Sequence, residues 1–216
     1  MSQSPFPHRL PPASGSAAKR LVAFLHGVGS SGDDLEPLAR LWQAALPDAA
    51  MTFPDGPEPF DLAPQGRQWF SVDGVTPANR PQRVAEAAPA FDRVLDEELS
   101  WAGVGPDALI LVGFSQGSIM SLDAVLTGRW KPLAVVAYAG RLSGRPVSDN
   151  AATGTRVLLV HGSADPVIPV AEMQTAVQAL TQAGIAVETR VEPGVAHTIT
   201  PSGARAGADF LRTITG

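Results

Sequence analysis

Gly113-Phe114-Ser115-Gln116-Gly117 sets a serine between two glycines in a G-x-S-x-G pattern. The chemistry that this spacing serves is acyl transfer. A serine hydroxyl becomes a nucleophile when a sharp strand-to-helix turn lifts it clear of the sheet and a base takes its proton. Such a turn holds the serine at strained backbone angles, so both flanks must be small, and Gly113 and Gly117 supply that room. The turn also aims the next backbone N–H, that of Gln116, at the reacting carbonyl. The pattern alone is only modestly specific, and its bland alternative is a Gly-rich helix start with a capping Ser. The flanks favour the nucleophile: an apolar run ends at Val112 and a helical pattern begins after Ser115.

The chain has 4 His, at positions 8, 26, 161 and 197. His8 lies in a Pro-rich N-terminal stretch. His26 and His161 each follow an apolar run and precede Gly, so they sit at strand ends. His197 falls in a loop between the last predicted strand and the last predicted helix, and it follows Ser115 as the order Ser, acid, His requires. It is the expected base. The acid must orient the imidazole and stabilise the imidazolium. Asp123, Asp149 and Asp165 lie in the interval, and Asp165 is favoured because it alone directly follows a strand end, in His161-Gly162-Ser163-Ala164-Asp165. A second oxyanion donor is expected from the Gly-rich turn Gly27-Val28-Gly29-Ser30-Ser31-Gly32, with the N–H of Val28 paired to that of Gln116. That turn lacks the spacing and the Lys of a phosphate-binding loop. Trp69 and Phe70 either line an acyl pocket or pin a long loop to the core. No His, Asp or Glu spacing resembles a metal site, and no cofactor is expected.

These groups need a scaffold that brings loops from distant positions to one edge. Apolar runs at 21–25, 50–53, 108–112, 133–137, 156–160 and 185–191 read as strands. Segments 35–45, 84–99, 118–126, 170–182 and 201–214 have helical spacing, with Asp33 or Asp34 and Thr200 as candidate N-caps and Gly184 as a C-terminal stop. Strand and helix alternate, which implies right-handed βαβ units and a mostly parallel sheet with helices on both faces. Residues 54–81 are rich in Pro and Gly and form the longest irregular stretch. The organisation expected is a mobile N-terminal arm over residues 1–19 and a single α/β domain over 20–216, with no large lid.

Composition removes other classes. With 216 residues and 44% hydrophobic content, the chain can bury a sizeable core. A net charge of −5 and no basic run argue against nucleic acid and anionic membranes as partners. No apolar run is long enough for a transmembrane segment, and the first 20 residues have no apolar stretch of the secretory kind. Zero Cys excludes disulfides and a cysteine nucleophile, and fits a cytoplasmic location.

Taken together, His26-Gly27, Gly113-Phe114-Ser115-Gln116-Gly117, His161-Gly162-x-x-Asp165-x-x-Ile168-Pro169 and the late His197 resemble the phospholipase/carboxylesterase family of α/β-hydrolases. That family includes acyl-protein thioesterases and small bacterial carboxylesterases. The Arg67-Gln68-Trp69-Phe70 segment is similar to the family's aromatic stretch. The resemblance implies Ser115, Asp165 and His197 as triad, with backbone donors at Val28 and Gln116. Val28 stands where many members have Leu, so acyl-chain preference does not carry over. The activity expected is cleavage of small-molecule carboxylic esters with short-to-medium acyl chains. The alternatives are an acyl-protein thioesterase or lysophospholipase using the same triad, and a catalytically silent binding module. An exposed hydrophobic lip would favour a homodimer.

Overall fold

The structure is a computed structural model, and it describes residues 9–215. Its centre is a strand whose residues alternate between two cores. In the strand Leu109–Phe114, Leu109 and Leu111 face one apolar cluster, while Ile110 and Val112 face the other. A strand buried on both faces needs no polar alternation, which is why this run reads as continuously apolar.

In chain order the elements are β1 (Arg9–Leu10), β2 (Arg20–Leu25), a 3₁₀ turn leading into α1 (Glu36–Gln43), β3 (Ala49–Thr52), the short strands β4 (Glu58–Pro59) and β5 (Arg67–Gln68), α2 (Arg80–Ala102), β6 (Leu109–Phe114), α3 (Gln116–Leu126), β7 (Ala134–Tyr138), β8 (Arg156–Gly162), α4 (Ala171–Gln182), β9 (Ala186–Glu192) and α5 (Pro201–Thr215). The main sheet runs β1-β3-β2-β6-β7-β8-β9, and only the β1–β3 pair is antiparallel. β4 and β5 form a separate ribbon inside the long irregular segment. Helices α2, α3 and α4 cover one face through Phe91, Leu122 and Leu180. Helices α1 and α5 cover the other through Trp42 and Phe210. This is the α/β-hydrolase arrangement, with no large added domain.

Close approach explains several residue choices. A Cβ at Gly207 would overlap the Tyr138 hydroxyl and the Trp42 ring, so only Gly lets α5 settle on the sheet there. Trp42 then donates its Nε1–H to the Ala204 carbonyl at 3.1 Å, and the Tyr138 hydroxyl donates to the Gly203 carbonyl at 3.1 Å. All of α3 is buried. Its two inward serines are satisfied locally: Ser118 donates to the Tyr138 carbonyl at 2.8 Å and Ser121 to the Gly117 carbonyl at 2.8 Å.

Two expectations differ from the structure. Leu41, an apolar residue within the helical spacing of segment 35–45, is 58% exposed. The buried arc runs through Leu38, Trp42 and Ala39, and at 3.6 residues per turn Leu41 falls just outside it. The other concerns the arm. Residues 1–8 lie outside the described residues, but Arg9 and Leu10 pair with Thr52 and Met51 as an edge strand, so ordered structure begins before residue 20. The anchor is Arg9, whose Nε and Nη2 donate to the Glu98 carboxylate at 2.8 and 2.9 Å. Thr52 Oγ1 donates to the same carboxylate at 2.6 Å. Glu98 is buried, and removing its cation leaves an undercompensated charge. Arg9→Ala is therefore expected to lower stability by about 1–3 kcal/mol in chemical denaturation. An unchanged midpoint would show that the arm is not held by this pair.

Candidate active site

Ser115 sits between β6 and α3 at φ +52° and ψ −110°. Apart from Ala139, it is the one non-glycine residue with positive φ among the described residues. Such a conformation persists only when its surroundings force it. Here the Ser115 amide donates to the Tyr138 carbonyl on β7 at 3.0 Å, and its own carbonyl accepts the Ile119 amide at 3.1 Å. Gly113 and Gly117 are obligatory. A Cβ at Gly113 would overlap the Ser118 amide, and one at Gly117 would overlap the Leu25 carbonyl on β2.

Asp165 and His197 meet directly: Nδ1 of His197 lies 2.7 Å from Oδ2 of Asp165. An ionised carboxylate only accepts, so Nδ1 carries the proton and Nε2 is left as the basic nitrogen. The His197 ring also packs on Phe114, the residue before Ser115, with centroids 5.0 Å apart. The other Asp165 oxygen accepts the amides of Val167 and Ile168 at 2.8 and 2.9 Å. Burial pushes the Asp165 carboxyl up, but the hydrogen bonds from His197, Ile168 and Val167 outweigh it and leave it below the usual carboxylate range. Of the other acids weighed, Asp123 is buried and engaged by Arg129, Arg145 and Ser143. Asp149 is exposed.

The turn after β2 lies against Ser115. A Cβ on Gly27 would come within 3.3 Å of Ser115 Cβ. Val28 is half-buried, and no carbonyl of the described backbone takes its amide or that of Gln116. The turn is held by Arg67: the Gly29 amide donates to the Arg67 carbonyl at 2.9 Å, and the Arg67 amide to the Ser30 carbonyl at 2.7 Å. The Arg67 guanidinium donates to the Gly56 and Pro57 carbonyls at 2.9 and 2.8 Å.

Trp69 and Phe70 are 1% and 4% exposed, packed in the core against Phe91 and its neighbours. Both therefore pin the loop. The Trp69 indole donates to the His26 carbonyl at 3.0 Å. Phe70 also reaches a cleft of about 420 Å³, whose other walls include Glu58, Arg83 and Glu86. That cleft is polar and its lining does not include Ser115, Asp165 or His197.

Several positioning groups escaped the sequence. The Gln116 side chain spans the Trp69 amide, accepting at 2.8 Å, and the Phe70 carbonyl, donating at 2.6 Å. Buried His26 donates from Nδ1 to the Gly27 carbonyl at 2.7 Å and accepts the Gly56 amide on Nε2 at 2.8 Å. Burial pushes its pKa down, in keeping with the neutral ring that these bonds require. His161 donates from Nε2 to the Ile168 carbonyl at 2.8 Å, bracing the Asp165 loop. Glu192 accepts the Thr200 and Ser202 hydroxyls across the base of the His197 loop. The strand-end placement of His26 and His161 was the only signal for any of these. Among the described residues no group of three or more His, Cys, Asp or Glu is placed to hold a metal ion, and no helix is long and apolar enough to cross a membrane.

A parallel sheet bearing a strained serine at a strand–helix elbow defines an α/β-hydrolase. Residues 12–215 match the Phospholipase/Carboxylesterase family, and the chain belongs to it. It is similar to esterase YpfH of Escherichia coli K12, 35% identical over 195 residues, covering 90% of this chain and 83% of that one. It is also similar to acyl-protein thioesterase 1 of Saccharomyces cerevisiae, 27% identical over 90% of this chain and 92% of that one. Among solved structures, esterase PE8 superposes with a TM-score of 0.84 at 34% identity, covering 95% of this chain and 97% of that one. The chain is thus a hydrolase enzyme of the ester-cleaving α/β-hydrolase class, and the silent binding module is set aside.

The lowered Asp165 carboxyl has a consequence for acid stability. A carboxyl whose folded pKa is below its unfolded value, about 3.9 for Asp, stabilises the fold above that value. The contribution is lost as pH falls through the folded value. Asp165→Asn is expected to unfold more easily than wild type at pH 7, with the gap closing as the pH falls below the unfolded Asp value and through the lowered folded one. A gap of constant size across that range would contradict the assignment.

Proposed function

We propose that this chain hydrolyses carboxylic esters of short-to-medium acyl chains through an acyl-enzyme on Ser115, with Asp165 and His197 completing the triad. The observation that carries this reading is the 2.7 Å bond from Asp165 to His197, whose ring rests on the residue preceding a serine held at φ +52°. His197 Nε2 takes the Ser115 proton as Oγ attacks the acyl carbon. Asp165 holds the imidazole tautomer and stabilises the imidazolium. The oxyanion rests on the amides of Val28 and Gln116. His197 then protonates the leaving alkoxide, and in the second half it takes a proton from the water that attacks the acyl-enzyme. The substrate is a small-molecule ester, and a cytoplasmic location is part of the reading, supported by the lack of Cys.

A thioester is the second reading, favoured by the likeness to a yeast acyl-protein thioesterase. The triad would be the same, with a thiolate as leaving group.

The test is hydrolysis of p-nitrophenyl esters from acetate to palmitate by wild type and Ser115→Ala. Wild type is expected to turn over the shorter esters, and Ser115→Ala to lose on the order of a thousandfold or more. An activity that rises steadily to palmitate would refute the acyl-length reading. Equal background rates for both proteins on every ester would refute the ester reading, and an acyl-thioester panel would then decide the second one. An organophosphorus probe should label wild type and leave Ser115→Ala unlabelled.

A further inference from the structure

The sheet ends at β9, and this edge is unusual in being both long and bare. β9 is seven residues long and pairs only with β8 among the described strands. Ala186 and Glu188–Val191 are exposed, Val187 is half-buried and only Glu192 is buried. Val191 is 47% exposed. The opposite edge, β1, is two residues long. A strand edge of this kind presents a row of backbone donors and acceptors ready to pair with another strand.

The order of side chains along this edge selects one partner. The run is Val187-Glu188-Thr189-Arg190-Val191. In an antiparallel pair of two such strands centred on Thr189, Glu188 of each copy faces Arg190 of the other, and Val187 faces Val191. Directly opposed residues lie on the same face of the sheet, so these are true cross-strand pairs. Other centres fail. A pair centred on Glu188 or on Arg190 sets identical charges face to face. One centred between Thr189 and Arg190 sets Glu188 against Val191. Charges on an edge strand ordinarily block edge-to-edge pairing. Here their sequence is self-complementary about one residue, which is the condition for an isologous two-fold contact.

We propose that β9 is a homodimer interface, two copies pairing antiparallel about Thr189 to make one continuous sheet. Within a single chain Glu188 contacts Arg156 at 2.8 Å and Arg190 contacts Glu192 at 3.2 Å. The Glu188 and Arg190 side chains are 56% and 45% exposed, so these are loose surface pairs that can exchange partners. The two-fold also points the C-terminal ends of the two β9 strands in opposite directions. The His197 loops that follow them then open on opposite edges of the joined sheet, and neither site covers the other.

The experiment is the solution mass by size-exclusion chromatography with light scattering, over roughly 5–100 µM full-length chain. Wild type is expected at the mass of two chains. Glu188→Arg sets Arg against Arg at both symmetric positions, and should weaken the dimer by more than about tenfold and shift the mass towards one chain. The double exchange Glu188→Arg with Arg190→Glu restores opposite charges and should restore the two-chain mass. Circular dichroism establishes that each variant is folded, as surface substitutions should be. A one-chain mass for wild type across the range overturns the proposal. So does a dimer indifferent to Glu188→Arg, or one that the double exchange does not rescue.

Discussion

Everything at the candidate active site depends on holding one serine where serines do not rest. A positive φ at a non-glycine residue carries a strain of about 1–3 kcal/mol, and the surroundings must supply more than that in favourable contacts. The supply here comes from α3, which is buried along its whole length and whose inward serines are satisfied by carbonyls one strand or one turn away. Tyr138 is the common acceptor. Its carbonyl takes both the Ser115 amide and the Ser118 hydroxyl, so β7 fixes the turn and the first turn of the helix together. The two glycines of the motif follow from the same demand, since backbone atoms of α3 and β2 occupy the volume in which their side chains would stand.

The remaining candidate groups come from the ends of other strands, and each is held by polar contacts outside its own strand. His197 is on the loop after β9, but its position is set by Asp165 after β8, and Asp165 is set in turn by the amides of Val167 and Ile168. The turn after β2 is fastened to the 54–81 segment through Arg67 and through a neutral His26. The Arg67 guanidinium and the His26 ring each also satisfy backbone groups of the segment that no regular element satisfies, which is how an irregular stretch of this length stays ordered.

This division between local and distant explains what could be read from the chain. The strands and helices were legible because alternation of apolar runs and helical spacing is a local property. The elbow was legible because Gly113 and Gly117 are adjacent in sequence to the residue they accommodate. Asp165 could be preferred over Asp123 and Asp149 because a strand end is itself a local feature. What pins Trp69 and Phe70 is their burial against α2 and the bonds to Gln116, and no spacing encodes a partner more than 40 residues away. The same holds for Arg9, whose Glu98 lies on α2. The Glu192 partners Thr200 and Ser202 are nearer in sequence, but they meet it across the loop that carries His197. The Pro-rich composition of the N-terminal stretch suggested mobility, and an ion pair distant in sequence decided otherwise at Arg9 and Leu10.

Gln116 has two ends in different settings. Its amide is taken by no carbonyl of the described backbone, while its carboxamide holds the backbone of Trp69 and Phe70. The long loop and the helix start are therefore one mechanical unit, joined through a single side chain. The loop at Trp69 is thereby tied to the first residue of α3, where the dipole of the helix begins. In the proposed reaction, loop order thus belongs to turnover as much as to recognition: a loosened loop would misalign an oxyanion-binding Gln116 amide in the transition state even when the ground-state ester binds as before.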